Sequence, residues 1–229
     1  MDKDLFKPTK LKQLCEKYQL RPSKQYGQNF LISESVIEKI IKAGDLKKND
    51  TVVEIGPGFG VLTFAMAPLV KRVIAFEIER RLDEYWQKNK SENVEIIWGD
   101  ALKRLTAYGL RLKPGYKVVA NLPYQITSQV LRVLLEQENK PESITVMVQK
   151  EVGERIVAKP GDMSLLALSV QYYGEPKIIT KVSKGNFWPE PKVDSAVFTI
   201  SKISRVSKFT DEEFFRIARA GFANKRKQL

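Results

Sequence analysis

The 229-residue chain contains no histidine, one cysteine, and no apolar run approaching the roughly 18–20 residues of a membrane span. Without histidine there can be no Ser-His-Asp triad, no Cys-His dyad, no His-ligated zinc and no imidazole proton shuttle. The lone Cys15 supports neither an intrachain disulfide nor a thiolate cluster, which suits a reducing compartment. Residues 1–10 lack an apolar signal core. From these absences a cytoplasmic protein is expected, without membrane anchor or metal. What is present is 43% hydrophobic residues, enough for a sizeable core, and 39 Lys and Arg against 27 Asp and Glu, a net charge of +12. The length suits one domain with an appendage, or two small domains.

The charge is unevenly placed. Residues 1–28 hold seven basic and three acidic side chains, and residues 201–229 hold eight and three; the 172 residues between them hold 24 and 21. Three quarters of the excess therefore flanks a nearly balanced centre. Charged ends can serve solubility alone. They equally suit a polyanion, because Lys and Arg displace counterions from phosphates whatever the base sequence.

Within the centre, strand-like and helix-like patterns alternate. Ser35-Val36-Ile37-Glu38 reads as a capping box opening a helix that Gly44 and the polar run 45–50 end. Apolar, β-branched runs follow at residues 51–55, 72–78, 94–98, 117–121 and 143–148, with helical patterns such as 79–90 and 128–137 between them. Beyond residue 160 come a helix at 164–172, strands at 177–183 and 195–201, and an amphipathic helix at 211–222. Alternation of this kind predicts an α/β fold with a mainly parallel, doubly wound sheet.

The first four strands run into Gly56, Glu77, Asp100 and Asn121, at spacings of 21, 23 and 21 residues, about one βα unit each. Ligands of open parallel sheets bind outside the carboxyl ends of the strands, so a bare backbone turn, two carboxylates and an amide are expected along one rim. Glu54-Ile55-Gly56-Pro57-Gly58-Phe59-Gly60 forms a glycine loop from strand to helix, in which backbone N–H groups can approach a ligand closely. Its third glycine falls one residue earlier than in the dinucleotide fingerprint, with Val61 in that place, and no Gly-Lys-Ser/Thr follows. A purely structural turn would also account for it. Glu77 can accept hydrogen bonds from both ribose hydroxyls of an adenosyl group, or pair with Arg80 or Arg81. Asp100 can lie near an adenine amino group while capping a helix. Together these motifs resemble those of class I S-adenosylmethionine-dependent methyltransferases.

The tetrapeptide Asn121-Leu122-Pro123-Tyr124 resembles the Asn/Asp-Pro-Pro-Tyr-type motif of methyltransferases acting on exocyclic amines. Adenine N6 is a poor nucleophile because its lone pair is delocalised into the ring. The Asn121 side-chain carbonyl and the Leu122 backbone carbonyl can each accept an N6–H bond, freeing the lone pair to point at a methyl donor. Pro123 stiffens the turn, and Tyr124 offers a ring for the base to stack on. Three further stretches, Gln25-Tyr26-Gly27-Gln28-Asn29-Phe30-Leu31, Val148-Gln149-Lys150-Glu151-Val152 and Phe187-Trp188-Pro189-Glu190-Pro191-Lys192-Val193-Asp194-Ser195, resemble motifs of the ribosomal RNA adenine N6,N6-dimethyltransferase family. The resemblance spans roughly residues 24–200, and Lys24-Gln25-Tyr26-Gly27 is more similar to the small-subunit, KsgA-type branch than to the erythromycin-resistance branch.

That resemblance implies a Rossmann-like methyltransferase domain over residues 1–204, including a basic N-terminal arm. Residues 205–229 would begin a C-terminal helical RNA-docking domain, either reduced or cut short. It implies S-adenosylmethionine as cofactor, giving S-adenosylhomocysteine, with no metal. Gln28, Asn29, Leu31, Gly56, Gly58, Glu77, Ile78, Asp100, Ala101 and Asn121 would bind the cofactor. Asn121, Leu122, Pro123 and Tyr124 would hold the adenine, with Phe187 stacking on its other face. Lys24, Lys225, Arg226 and Lys227 would bind RNA. The expected substrate is small-subunit (16S) ribosomal RNA, within a precursor of the small subunit, modified to N6,N6-dimethyladenosine by a monomeric enzyme. The sulfonium carries its own activation, so direct in-line transfer needs positioning more than proton chemistry, and the target base must be unpaired or rotated out. Two alternatives stay open on these residues: a resistance-type enzyme acting on large-subunit (23S) RNA, and a non-catalytic RNA-binding assembly factor.

Overall fold

The computed structural model describes residues 3–22, 28–109, 112–204 and 210–223. In chain order the elements are α1 (Pro8–Lys17), β1 (Phe30–Leu31), α2 (Glu34–Gly44), β2 (Thr51–Ile55), α3 (Val61–Met66), β3 (Arg72–Glu77), α4 (Asp83–Asn89), β4 (Val94–Trp98) and α5 (Ala101–Gly109). There follow β5 (Lys117–Asn121), α6 (Thr127–Glu136), β6 (Ser143–Gln149), α7 (Lys150–Ile156), α8 (Leu165–Tyr173), β7 (Glu175–Val182), β8 (Phe187–Trp188), β9 (Ser195–Ser201) and α9 (Asp211–Ala223).

Seven of the described strands form one sheet in the order β4-β3-β2-β5-β6-β9-β7. The first five are parallel, while β9 runs antiparallel to both β6 and β7. The expected doubly wound α/β sheet is thus present, with an antiparallel pair completing one side. Its inner strands are apolar on both faces because helices cover both. Val52 and Val73 pack with Leu11, Ile40, Met66 and Trp86 from helices on one face. Val53, Ile74 and Phe76 pack with Leu105, Leu131, Leu134 and Val170 on the other.

Four local details differ from the sequence expectation. Helix α2 starts at Glu34, and its N-cap is Ser33 in extended conformation rather than Ser35. Ser33 makes no side-chain cap bond, and its hydroxyl lies 3.2 Å from that of Ser35 instead. The stretch 79–90 is divided: the Glu79 carboxylate accepts from Arg81 N–H and opens a single 3-10 turn, Arg80–Leu82, before α4. Residues 3–20 join the core through an unanticipated helix, α1, with Pro8 at its start and Leu11 and Cys15 buried one turn apart. Finally, β1 and β8 pair antiparallel as a short ribbon, Phe30 opposite Trp188 and Leu31 opposite Phe187.

Helix α9 packs on α8. Asp211 accepts hydrogen bonds from the hydroxyls of Tyr172 (3.2 Å) and Tyr173 (2.9 Å), and the Phe214 ring stacks on Tyr172 at 3.8 Å between centroids. Phe215 belongs to the same apolar cluster as Phe198 of β9. Among the described residues no helix is long and apolar enough to cross a membrane.

Candidate active site

The strand order sets β4, β3, β2 and β5 side by side, so Asp100, Glu77, Gly56 and Asn121 meet at one rim. Backbone hydrogen bonds past the strand ends fasten the loops there. Gly56 N–H donates to the Phe76 carbonyl (2.9 Å), Gly99 N–H to that of Glu77 (2.7 Å), and Leu122 N–H to that of Met147 (3.1 Å).

The glycine loop turns with Gly56, Gly58 and Gly60 all at positive φ (71°, 56° and 82°), a region that side chains disfavour. Gly60 has a second constraint. A Cβ there would sit 2.7 Å from both the Phe64 and Trp86 rings, which accounts for a third glycine one residue earlier than in the dinucleotide pattern. The buried Glu77 carboxylate accepts Gly58 N–H through Oε2 (3.0 Å) and Glu79 N–H through Oε1 (2.8 Å). Burial pushes its pKa up, against the pull of the backbone N–H groups of Glu79, Gly58 and Ile78. Neither arginine takes the salt bridge considered from sequence: Arg81 pairs with Glu79 at 2.7 Å, and Arg80 lies over the Trp98 ring. Asp100 caps α5 by accepting Leu102 N–H at 2.9 Å.

On the other side of β2, Asn121 ends β5 with its Nδ2 donating to the Asn29 carbonyl at 3.3 Å. Asn29 is brought there by the β1–β8 ribbon, which is latched further by Ile32 N–H donating to the Asn186 carbonyl (2.8 Å). Pro123 leads into a single 3-10 turn, Tyr124–Ile126. The Tyr124 and Ser195 hydroxyl oxygens are 2.8 Å apart.

One pocket connects the two sides. It is lined by Gln28, Asn29, Leu31, Gly56, Gly58, Glu77, Ile78, Asn121, Leu122, Pro123 and Tyr124 of the anticipated residues, and also by Phe30, Ile37, Glu54, Pro57, Phe59, Val61 and Leu62. Ile78, 44% exposed, offers an apolar side chain at its edge.

Over residues 20–229 the chain matches the family described as ribosomal RNA adenine dimethylase. It is 47% identical over 222 residues to the ribosomal RNA small subunit methyltransferase A of Dehalococcoides mccartyi, covering 95% of this chain and 76% of that protein. For the protein of the same name from Moorella thermoacetica the identity is 43%, covering 92% and 78%. A crystal structure of a dimethyladenosine transferase from Plasmodium falciparum superposes with a TM-score of 0.75 at 30% identity, over 87% of this chain and 72% of that one. The 23S rRNA methyltransferase ErmE gives 0.70 at 26% identity, over 87% and 81%. The chain belongs to the ribosomal RNA adenine dimethylase family.

In this member of the adenine dimethylase family, three anticipated residues stand outside the pocket lining. Asp100 and Ala101 lie at the head of α5, two and three residues beyond Trp98, the strand partner of Glu77. Phe187 is paired with Leu31 and only 3% exposed, packed into the apolar cluster that holds Leu31 and Ile37. Lys24, Lys225, Arg226 and Lys227 lie outside the described residues, as do Gln25, Tyr26 and Gly27. Conversely, sequence reasoning passed over Glu54. It is 2% exposed, accepts the Thr63 hydroxyl at 2.6 Å and lines the pocket. Burial pushes its pKa up to about 8; Thr63 opposes the rise and the Glu77 charge adds to it. Its signal is a carboxylate set among Val52, Val53 and Ile55 of β2. Ser195 carried no such signal, since only the fold brings it to Tyr124.

Proposed function

We propose that the protein transfers methyl groups from S-adenosylmethionine to the N6 amine of adenines in small-subunit ribosomal RNA, giving N6,N6-dimethyladenosine. The observation that carries this reading is the tether of Asn121. Its Nδ2 is committed to the Asn29 carbonyl, and Oδ1 has no hydrogen-bond partner among the described residues. An amide fixed by its nitrogen presents its oxygen as an acceptor, and an acceptor is what an N6–H group needs.

The residues present fit the cofactor. Gly56 and Gly58 keep the loop free of side chains where a ligand backbone would approach, and Glu77 is fixed by two N–H donors with lone pairs left for ribose hydroxyls. Ile78 supplies an exposed apolar surface for a flat base, and Asp100 and Ala101 would flank that base from the next strand. Gln28, Asn29 and Leu31 would close the pocket from the N-terminal side. When bound, S-adenosylmethionine supplies a methyl group already activated by its sulfonium. The chain's part is to place the amine. Asn121 and the Leu122 carbonyl hold its hydrogens, Pro123 fixes the turn, Tyr124 stacks on one face of the base, and Phe187 would meet the other once uncovered.

The small-subunit branch is supported by the names of relatives at 41–47% identity, against 26% for ErmE. It makes the small-subunit precursor the partner and the cytoplasm the place of reaction. We assign RNA docking to the basic ends, with Lys24 in the arm of the 1–204 domain and Lys225, Arg226 and Lys227 in the segment 205–229. The direct test presents small-subunit precursors and free large-subunit RNA to wild type and Asn121→Ala. Methylation of the precursors, lost in the variant, is expected. Modification of large-subunit RNA alone would overturn the branch, and full activity of Asn121→Ala would overturn the clamp.

A further inference from the structure

Tyr124 is half buried and sits on a single 3-10 turn. A tyrosine ring used only as a stacking platform needs no hydroxyl, since phenylalanine stacks as well. Here the hydroxyl reaches out of the turn to Ser195, 71 residues further along the chain, at 2.8 Å. Ser195 is fully buried and opens β9, where it stands between two strand neighbours, opposite Gln149 of β6 and Val182 of β7. Its hydroxyl is therefore carried by one of the most constrained backbones in the molecule. Tyr124 is thus tied to a fixed post.

We propose that Ser195 is a positioning residue for methyl transfer, holding the Tyr124 ring through its hydroxyl so that the target adenine stacks in register with Asn121. The proposal rests on the methyltransferase reading above and adds a residue to it. It also makes the two methylations unequal. An unmodified amine has two N–H groups for Asn121 and Leu122 to hold. A monomethylated amine has one, so placement of the base relies more on the stacking platform. Loosening Tyr124 should accordingly slow the second transfer more than the first.

A double-mutant cycle tests this with wild type, Ser195→Ala, Tyr124→Phe and the pair, assayed on small-subunit precursors with saturating S-adenosylmethionine. Each single variant is expected to lose about three- to tenfold in kcat, the range of one net hydrogen bond, and to raise the ratio of monomethyl to dimethyl adenosine in digested RNA. The pair should lose no more than either single variant, and the dissociation constant for S-adenosylmethionine should stay within about twofold, because neither hydroxyl is assigned to the cofactor. Multiplied losses in the pair would show that Ser195 does not act through Tyr124. A Ser195→Ala enzyme with wild-type kcat and product ratio would overturn the proposal outright. Should Ser195→Ala fail to fold, Tyr124→Phe breaks the same bond from the other end, and wild-type behaviour there overturns it equally. A wild type that methylates no adenine would instead overturn the reading on which the proposal stands.

Discussion

Glu77 and Asn121 end the strands on either side of β2, yet they are held by different means. Glu77 is gripped by backbone: Gly58 N–H from the adjoining loop and Glu79 N–H from two residues on, with Glu54 and Thr63 buried behind them. Asn121 and Tyr124 are gripped by single long-range bonds, one to the Asn29 carbonyl 92 residues away and one to Ser195. On the proposed reading, the Glu77 side of the pocket is built mostly from consecutive βα units between residues 51 and 101, and the Asn121 side from stretches near residues 29, 121–124 and 187–195. A cofactor common to many reactions can be met by a fixed, self-contained cradle. A base that must leave its stack needs a surface built last and set by the whole fold.

The sharpest way to break this division is to remove one polar group from each half. Asn121→Ala should lower kcat by about 10²–10³-fold while cofactor affinity falls far less, read from single-turnover rates and titration calorimetry. Glu77→Ala should do the reverse, raising the cofactor dissociation constant by about 10²-fold, as the loss of two hydrogen bonds of about 1.4 kcal/mol each does. If both variants affected the same constant, the two halves would not be separate. Next in size is Gly60→Ala. A methyl at positive φ and 2.7 Å from two rings should cost about 2–4 kcal/mol and lower Tm by about 5–10 °C. A shift under about 1 °C, about half a kcal/mol at this size, would mean that the cradle yields.

Glu54 allows a finer probe of the cofactor half. Its pKa lies near 8 in the folded state against 4.5 ordinarily, so between those values the folded chain holds a proton that the unfolded chain has lost. Its contribution to stability therefore falls as pH rises through that window, by at most about 1.4 kcal/mol per pH unit. Glu54→Gln should flatten that slope, measured as denaturation midpoints at pH 5.5 and 7.5; an unchanged slope would place the titration elsewhere. The smallest effect concerns RNA. Neutralising Lys225, Arg226 and Lys227 should reduce the slope of log affinity against log salt by about two to three and leave cofactor binding unmoved. A slope unaltered by those changes would remove the C-terminal segment from the docking surface.

The same division governs what could be read in advance. Strands at 51–55, 94–98, 117–121 and 195–201 appear with the bounds that β-branched runs and turn residues imply, because each is a local pattern with helices covering both faces. The grouping of Gly56, Glu77, Asp100 and Asn121 at one rim was legible for the same reason, each following or ending a strand at a regular spacing. The two-residue strands β1 and β8 have too little length to show a period, and nothing local announces that residue 30 pairs with residue 188. Asn29 and Ser195 belong to recognisable motifs, but what each tethers follows only from the packed fold. Helix α2 shows the limit of local signals: Ser33 and Ser35 both precede apolar residues at helical spacing, and the extended backbone at Ser33 decides between them.

The β1–β8 ribbon has a consequence for how the molecule is made. Its strands are joined across most of the chain, and closing so long a loop is slow compared with forming neighbouring βα units. As a nascent chain emerges, residues 51–100 can settle into the cofactor cradle while residues 187–195 are still being synthesised. On the proposed reading, the order of synthesis would complete the methyl-donor side of the pocket before the base side. Until β8 and β9 arrive, β1 lacks its ribbon partner and Tyr124 its bond to Ser195.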